Sequence, residues 1–206
     1  MMLSLRGGYE YVDLGLSVKW AKCNVGAESE TDYGSYFQWG DIEDKSNADC
    51  SWATYKHCNG SETTMKKYNT STSYGENPDN KITLDPEDDA ATQIMGGNWR
   101  MPTKAEFQEL IDGTDNQWVT NHNGTGVNGW KFTHKTDTSK YIFIPASGDR
   151  IDSSFRDQGS FSGVWSSSLY TPIHSEAWVL FFEFNEIYAD NEEFRYIGQT
   201  VRGVFK

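Results

Sequence analysis

Turn signals interrupt this chain so often that almost no segment is free to become anything longer than a short strand or a short helix. Its 19 glycines include Asn59-Gly60, Asn123-Gly124, Asn128-Gly129 and Gly96-Gly97, and Asn and Asp are frequent between them. Such pairs supply the backbone conformations that close tight turns. The expected class is therefore α+β, with small antiparallel sheets and little helix.

The 206 residues fit one domain, residues 1–206, because no Pro- or Ser-rich linker divides them. Aromatic residues make up 15% of the chain, so bulky rings supply much of the core. A formal charge of −12 argues against a nucleic-acid partner, whose phosphates would be repelled. No apolar run is long enough to enter and span a bilayer, and the first eight residues lack the apolar centre of a signal peptide. Cys23, Cys50 and Cys58 are odd in number and form no C-x-x-C pair. Buried free thiols are expected, with a Cys50–Cys58 bridge as the alternative.

Alternation of apolar and polar residues predicts strands over 9–14 and 18–20, and a short aromatic strand over 36–40. Residues 41–79 are polar and irregular and read as a long ordered excursion over the surface. Their Asn59 and Asn69 sequons fit chance in such a composition better than glycosylation. Residues 88–95 predict a short helix, with acids at its start and Gly96-Gly97 at its end. A second helix follows Pro102, where Thr103 and Glu106 have the spacing of a capping box, Phe107, Leu110 and Ile111 form an apolar stripe, and Gly113 is the expected stop. Further strands are expected over 141–145, 177–184 and 200–205.

The segment Gly96-Gly97-Asn98-Trp99-Arg100-Met101-Pro102-Thr103-Lys104-Ala105-Glu106-Phe107 resembles the G-x-W-R-L-P-T-E-A-E-W segment of the formylglycine-generating-enzyme type of C-type lectin fold. Physically, Trp99 would fill the core, Pro102 would set the helix entry and Arg100 would tie down a carboxylate or loop carbonyls. Residues 11–20, Ile144 to Gly148, Val164 to Ser168 and Gly198 to Val204 resemble the same fold, so the likeness covers nearly the whole chain. It implies that the N- and C-terminal strands pair. Within that fold the chain resembles a bacterial branch that includes the variable proteins of diversity-generating retroelements. Residues 164–202 match such a variable region, with a frame of Trp165 to Ser168, Ala177-Trp178, Leu180, Phe182 and Gly198 to Arg202. The resemblance implies a non-enzymatic display protein, found at a cell surface, secreted or on a phage particle. It would bind a protein or glycan on another cell or virus and need no cofactor. A structural or cell-envelope domain of the same fold is the alternative, and a divergent oxidase is a weaker one.

Strand alternation over 177–185 puts Trp178, Leu180, Phe182 and Phe184 on one face, expected to be core. Val179, Phe181, Glu183 and Asn185 then lie on the other face, a mixed surface suited to recognition, with packing of Val179 and Phe181 beneath a neighbouring loop as the alternative. Tyr170, Ile173 and His174 before this strand are expected to extend the patch as part of that cluster, although His174 taken alone reads as a plain surface histidine. Glu186, Tyr188, Phe194 and Tyr196 after it would complete the ligand-binding set.

Catalytic patterns are not found. Enzymes of the resembled family work through C-terminal cysteines, whereas all three here precede residue 59. His57, His122, His134 and His174 are dispersed and lack the spacing of an iron site. Residues 159–163 place Phe161 where a nucleophile elbow needs serine, and read as a turn. Asp85, Glu87, Asp88 and Asp89 are dense, but their spacing is not that of a calcium loop and suits helix capping. The Glu-Pro-Asn and Trp-Asn-Asp signatures of calcium-dependent sugar binding are absent.

Overall fold

The computed structural model describes residues 4–6 and 8–206. Its regular elements are short and mostly strands. The strands are β1 (Ser4–Arg6), β2 (Tyr9–Val12), β3 (Lys19–Asn24), β4 (Thr114–Val119), β5 (Gly129–His134), β6 (Tyr141–Pro145), β7 (Asp149–Ile151), β8 (Ser154–Arg156), β9 (Phe161–Leu169), β10 (Glu176–Glu183), β11 (Glu186–Phe194) and β12 (Arg202–Phe205). Two α-helices, α1 (Ala90–Met95) and α2 (Lys104–Gly113), lie between β3 and β4. The class is α+β, built from small antiparallel sheets.

The strand orders are β1-β2-β3-β12, β4-β5-β6, β11-β10-β9 and β7-β8. The C-terminal strand joins the N-terminal sheet, but through β3, with Val204 opposite Trp20 and Phe205 opposite Lys19. The terminal strands thus share a sheet without pairing directly, because β2 and β3 separate β1 from β12. The aromatic stretch 36–40, expected as a strand, makes only a bridge from Phe37 to Gln199. Residues 41–79 form no helix or named strand, as expected. They are nonetheless ordered by a small core of their own, in which Tyr55, Cys58 and Met65 pack with Trp52, Tyr74 and Tyr196.

Local chemistry sets both helix starts. Asp89 caps α1 by accepting from the Thr92 amide at 2.8 Å, and its second oxygen accepts from Met101 N at 2.8 Å. One side chain therefore fixes the helix and the segment that leads to α2. Thr103 and Glu106 form the expected capping box. Arg100 grips the same glutamate with two hydrogen bonds, at 2.8 and 2.5 Å, and also donates to Met101 O. Gly113 is the last helical residue, not the residue beyond the stop. Its requirement is steric, since a β-carbon there would run into Leu16.

Two large aromatic cores flank the β9-β10-β11 sheet. One holds Trp39, Tyr68, Trp99, Trp165, Val179 and Phe205. The other holds Trp20, Phe107, Leu110, Phe132, Leu180 and Phe182. Alternation along β10 therefore feeds Ala177 and Val179 to one core and Leu180 and Phe182 to the other. The cross-strand register agrees, with Val179 opposite Trp165 and Leu180 opposite Val164. Strand β9, which holds the serine run, bulges between Trp165 and Leu169. Within the bulge Ser166 Oγ donates to Trp178 O at 2.7 Å, and Ser167 N donates to Pro102 O at 2.7 Å. Small hydroxyl side chains suit this stretch because they supply hydrogen bonds where the ladder is interrupted. Residues 159–163 are a turn only in part, because Phe161 already opens β9.

Candidate functional site

The expected site falls on the hairpin of β10 and β11, which has two differently built ends. Its root is held by Arg195, fully buried just after β11. The guanidinium donates to Tyr55 OH at 2.8 Å and to the carbonyls of His174 (2.9 Å), Lys67 (3.1 Å) and Tyr68 (3.2 Å). It also lies 4.7 Å from the Trp39 ring centre. Arginine suits this position because its flat fork can satisfy several carbonyls at once while stacking on rings. Arg202 plays a similar part in β12, donating to Asn24 Oδ1 and to the carbonyls of Ala21, Lys22 and Phe143. Burial lowers its pKa to about 10.

The tip is different. Glu183 pairs with Glu186, so Phe184 and Asn185 form a two-residue loop, with Asn185 at φ 68°. Asparagine tolerates that left-handed conformation better than most residues. Phe184 is 64% exposed and leans edge-on against Trp118 at 6.2 Å. Its expected place in the core is wrong, because the sheet ends before it. Phe181 is half-buried, lies opposite Tyr188, and stacks on Phe161 at 5.7 Å. Tyr188 is 44% exposed and donates to Glu186 Oε2 at 3.0 Å. Glu183, Asn185 and Glu186 are exposed, so these five expected site residues do gather at one end.

The others do not join them. Val179 is only 1% exposed, which overturns its expected place on the surface. The reason is that its face of β10 is covered by a second core, so alternation sorts side chains between two interiors instead of between interior and solvent. His174 is also buried and is a correction of the same kind. Its ring nitrogens lie 2.9 Å from Asn69 Oδ1 and 2.9 Å from Thr70 Oγ1, tying the loop before β10 to the excursion. Burial lowers its pKa. Phe194 and Tyr196 are half-buried and form a separate aromatic group with Trp52, whose ring lies 4.8 Å from that of Tyr196. Tyr170 and Ile173 remain partly open, beside the root.

Sequence reasoning did not identify Phe161, Trp118 or Trp178 as surface partners. Trp178, expected in the core, is only half-buried: it meets Tyr170 edge-on at 4.7 Å and carries the Lys104 ammonium 4.7 Å over its ring. Phe161 was read as part of a turn, whereas it opens β9 and so reaches Phe181 across the sheet.

The dense acids at 85–89 act structurally. Asp89 caps α1, while Lys67 Nζ stands among Asp85 (2.8 Å), Asp88 (2.6 Å) and Glu87 (3.2 Å). An ammonium thus occupies the place a cation would take. Burial alone would raise the Asp88 pKa, but hydrogen bonds from Lys56, Lys67 and Tyr68 hold it well below the usual carboxylate range. All three cysteines are free, and burial pushes the Cys50 thiol up to about 11. His57 is driven down to about 4 by burial, with Nε2 2.9 Å from Gly40 O.

No protein-family model matches this chain, and no curated protein or solved structure is significantly similar to it.

Proposed function

We propose that this chain is a non-enzymatic binding domain of the C-type lectin fold, of the formylglycine-generating-enzyme type, and that it is the variable protein of a diversity-generating retroelement. It would present its C-terminal hairpin to a protein or glycan on another cell or virus. The observation that carries this reading is how burial divides residues 164–202. Frame residues Trp165, Ala177, Leu180, Phe182, Thr200 and Arg202 are buried and Trp178 is half-buried, whereas Ile173, Glu183, Glu186 and Tyr188 between them are exposed; Val179, His174 and Ile197, also between frame positions, are buried with the scaffold. A scaffold that must survive changes in its contact residues needs this division. The mechanism is passive, with a rigid two-core support holding rings and carboxylates in place at low entropic cost.

Sequencing the gene and its flanks from many related isolates tests the proposal. A near-identical template copy, with substitutions confined to adenines in the codons of exposed positions and a reverse-transcriptase gene nearby, is the expected result. Uniform sequences without a template would end it. A second reading, docking against another domain of an envelope assembly, is favoured by the exposure of Phe184 beside Trp118. Self-association that Phe184→Ser abolishes would support that alternative.

A further inference from the structure

The charge of the hairpin is one-sided. Residues 176–194 include Glu176, Glu183, Glu186, Asp190, Glu192 and Glu193 and no Lys, Arg or His. Among the described residues none of these six carboxylates has a basic group within ion-pair distance, although such pairs are common elsewhere in the molecule. At the root, Glu192 lies directly opposite Trp178, and Glu176 is its diagonal neighbour on the same face of the sheet. Glu176 Oε2 is shielded from solvent and has no hydrogen-bond partner. A buried carboxylate oxygen without a donor is costly to a folded chain unless something supplies one. Tyr170 and the half-buried ring of Trp178 stand beside it, and the ring already attracts the ammonium of Lys104. These carboxylates do not converge on a single point. The described acid group compact enough for one metal ion is the one Lys67 fills. The geometry suits a broad cation with several donors and a flat or apolar body.

We propose that the face formed by Tyr170, Glu176, Trp178 and Glu192 receives an arginine or lysine side chain from an extended segment of a basic partner protein. This rests on the binding role proposed above for the hairpin and gives its root a partner chemistry. The incoming cation would donate to Glu176 and Glu192 and lie against Trp178, displacing Lys104 from the ring. Burial and the neighbouring Glu192, Glu193 and Glu62 raise the Glu176 pKa to about 7, in keeping with an acid that lacks its cation.

The test uses the full chain and a fluorescent peptide alternating arginine with serine, with a glutamate–serine peptide and spermidine as comparisons. Binding of the arginine peptide alone is expected. Its affinity should fall about tenfold or more in Glu176→Gln/Glu192→Gln, fall about threefold in Trp178→Leu, and rise in Lys104→Gln. Circular dichroism of each variant establishes that it is folded, and the two glutamines remove repulsion instead of packing. No binding of the arginine peptide, equal binding of spermidine, or an unchanged affinity in the double glutamine variant would overturn the proposal. If the peptide fails while the locus still shows template-directed variation, the partner class falls and the display role stands. If the peptide binds as expected and the locus is uniform, the cation site stands without that role.

Discussion

The root and the tip of the β10–β11 hairpin are joined by a few residues of the same strands but are built on opposite terms. At the root the inward side chains are committed, while Glu176, Trp178 and Glu192 stay partly open: Val179 and Leu180 are divided between two cores, and Arg195 ties four acceptors from three segments. At the tip Phe184, Tyr188 and the carboxylates around them have few obligations. The contrast teaches that exposure in this region depends on distance along the strand as well as on the face of the strand. Past Phe182 the cores end, and the same alternation that buried both faces then leaves both open.

The sharpest way to break this contrast is Arg195→Met. It leaves Tyr55 OH and three carbonyls without their donor and should cost at least about 3 kcal/mol in urea unfolding. An unchanged midpoint would mean that the root is not anchored there. Next is Val179→Thr, nearly equal in shape but with a hydroxyl, expected to cost about 1–3 kcal/mol if the position is core. A surface residue would show almost nothing.

A pH experiment sharpens the contrast further. The folded pKa of Glu176 is about 7 against 4.5 for an unperturbed glutamate, so the folded state holds this proton more tightly. Stability from this group is therefore greatest at low pH and is lost as pH rises from about 4.5 through 7. Glu176→Gln should raise the melting temperature at about pH 8 and leave it nearly unchanged at about pH 4. His57 works in the opposite sense, because its folded pKa is depressed to about 4. Its contribution is present above about 6.5 and is lost on acidification. The smallest effect belongs to the tip, where Phe184→Ser and Tyr188→Ala should each shift stability by no more than about 0.5 kcal/mol. A larger loss would place those rings in a core and remove them from the binding surface.

Sequence reasoning located much of this architecture because the signals were local. The capping box at Thr103 and Glu106, the acid start of α1 and the apolar strand β6 each depend on residues close together in the chain. What was not legible depended on distant partners. Alternation along 177–184 correctly paired residues by face, but nothing in that segment tells that residues 41–89 and α1 return to cover the Val179 side. Strand β11, with Glu186, Asp190, Glu192 and Glu193, has little intrinsic strand preference and forms because β10 offers it a ladder. The sequence also places Lys67 far from Asp85 to Asp88, so only the folded chain identifies it as their counter-ion.

Strand β11 is the outermost of its sheet, and outer strands are where chains add to one another and begin to aggregate. Here the register slips between Val179 and Phe181, giving β11 an extra residue, and carboxylates stand at intervals along it. Two copies meeting rim to rim would find mismatched spacing and like charge. Concentrated solutions are thus protected near neutrality, and that protection weakens in acid as the carboxylates are discharged.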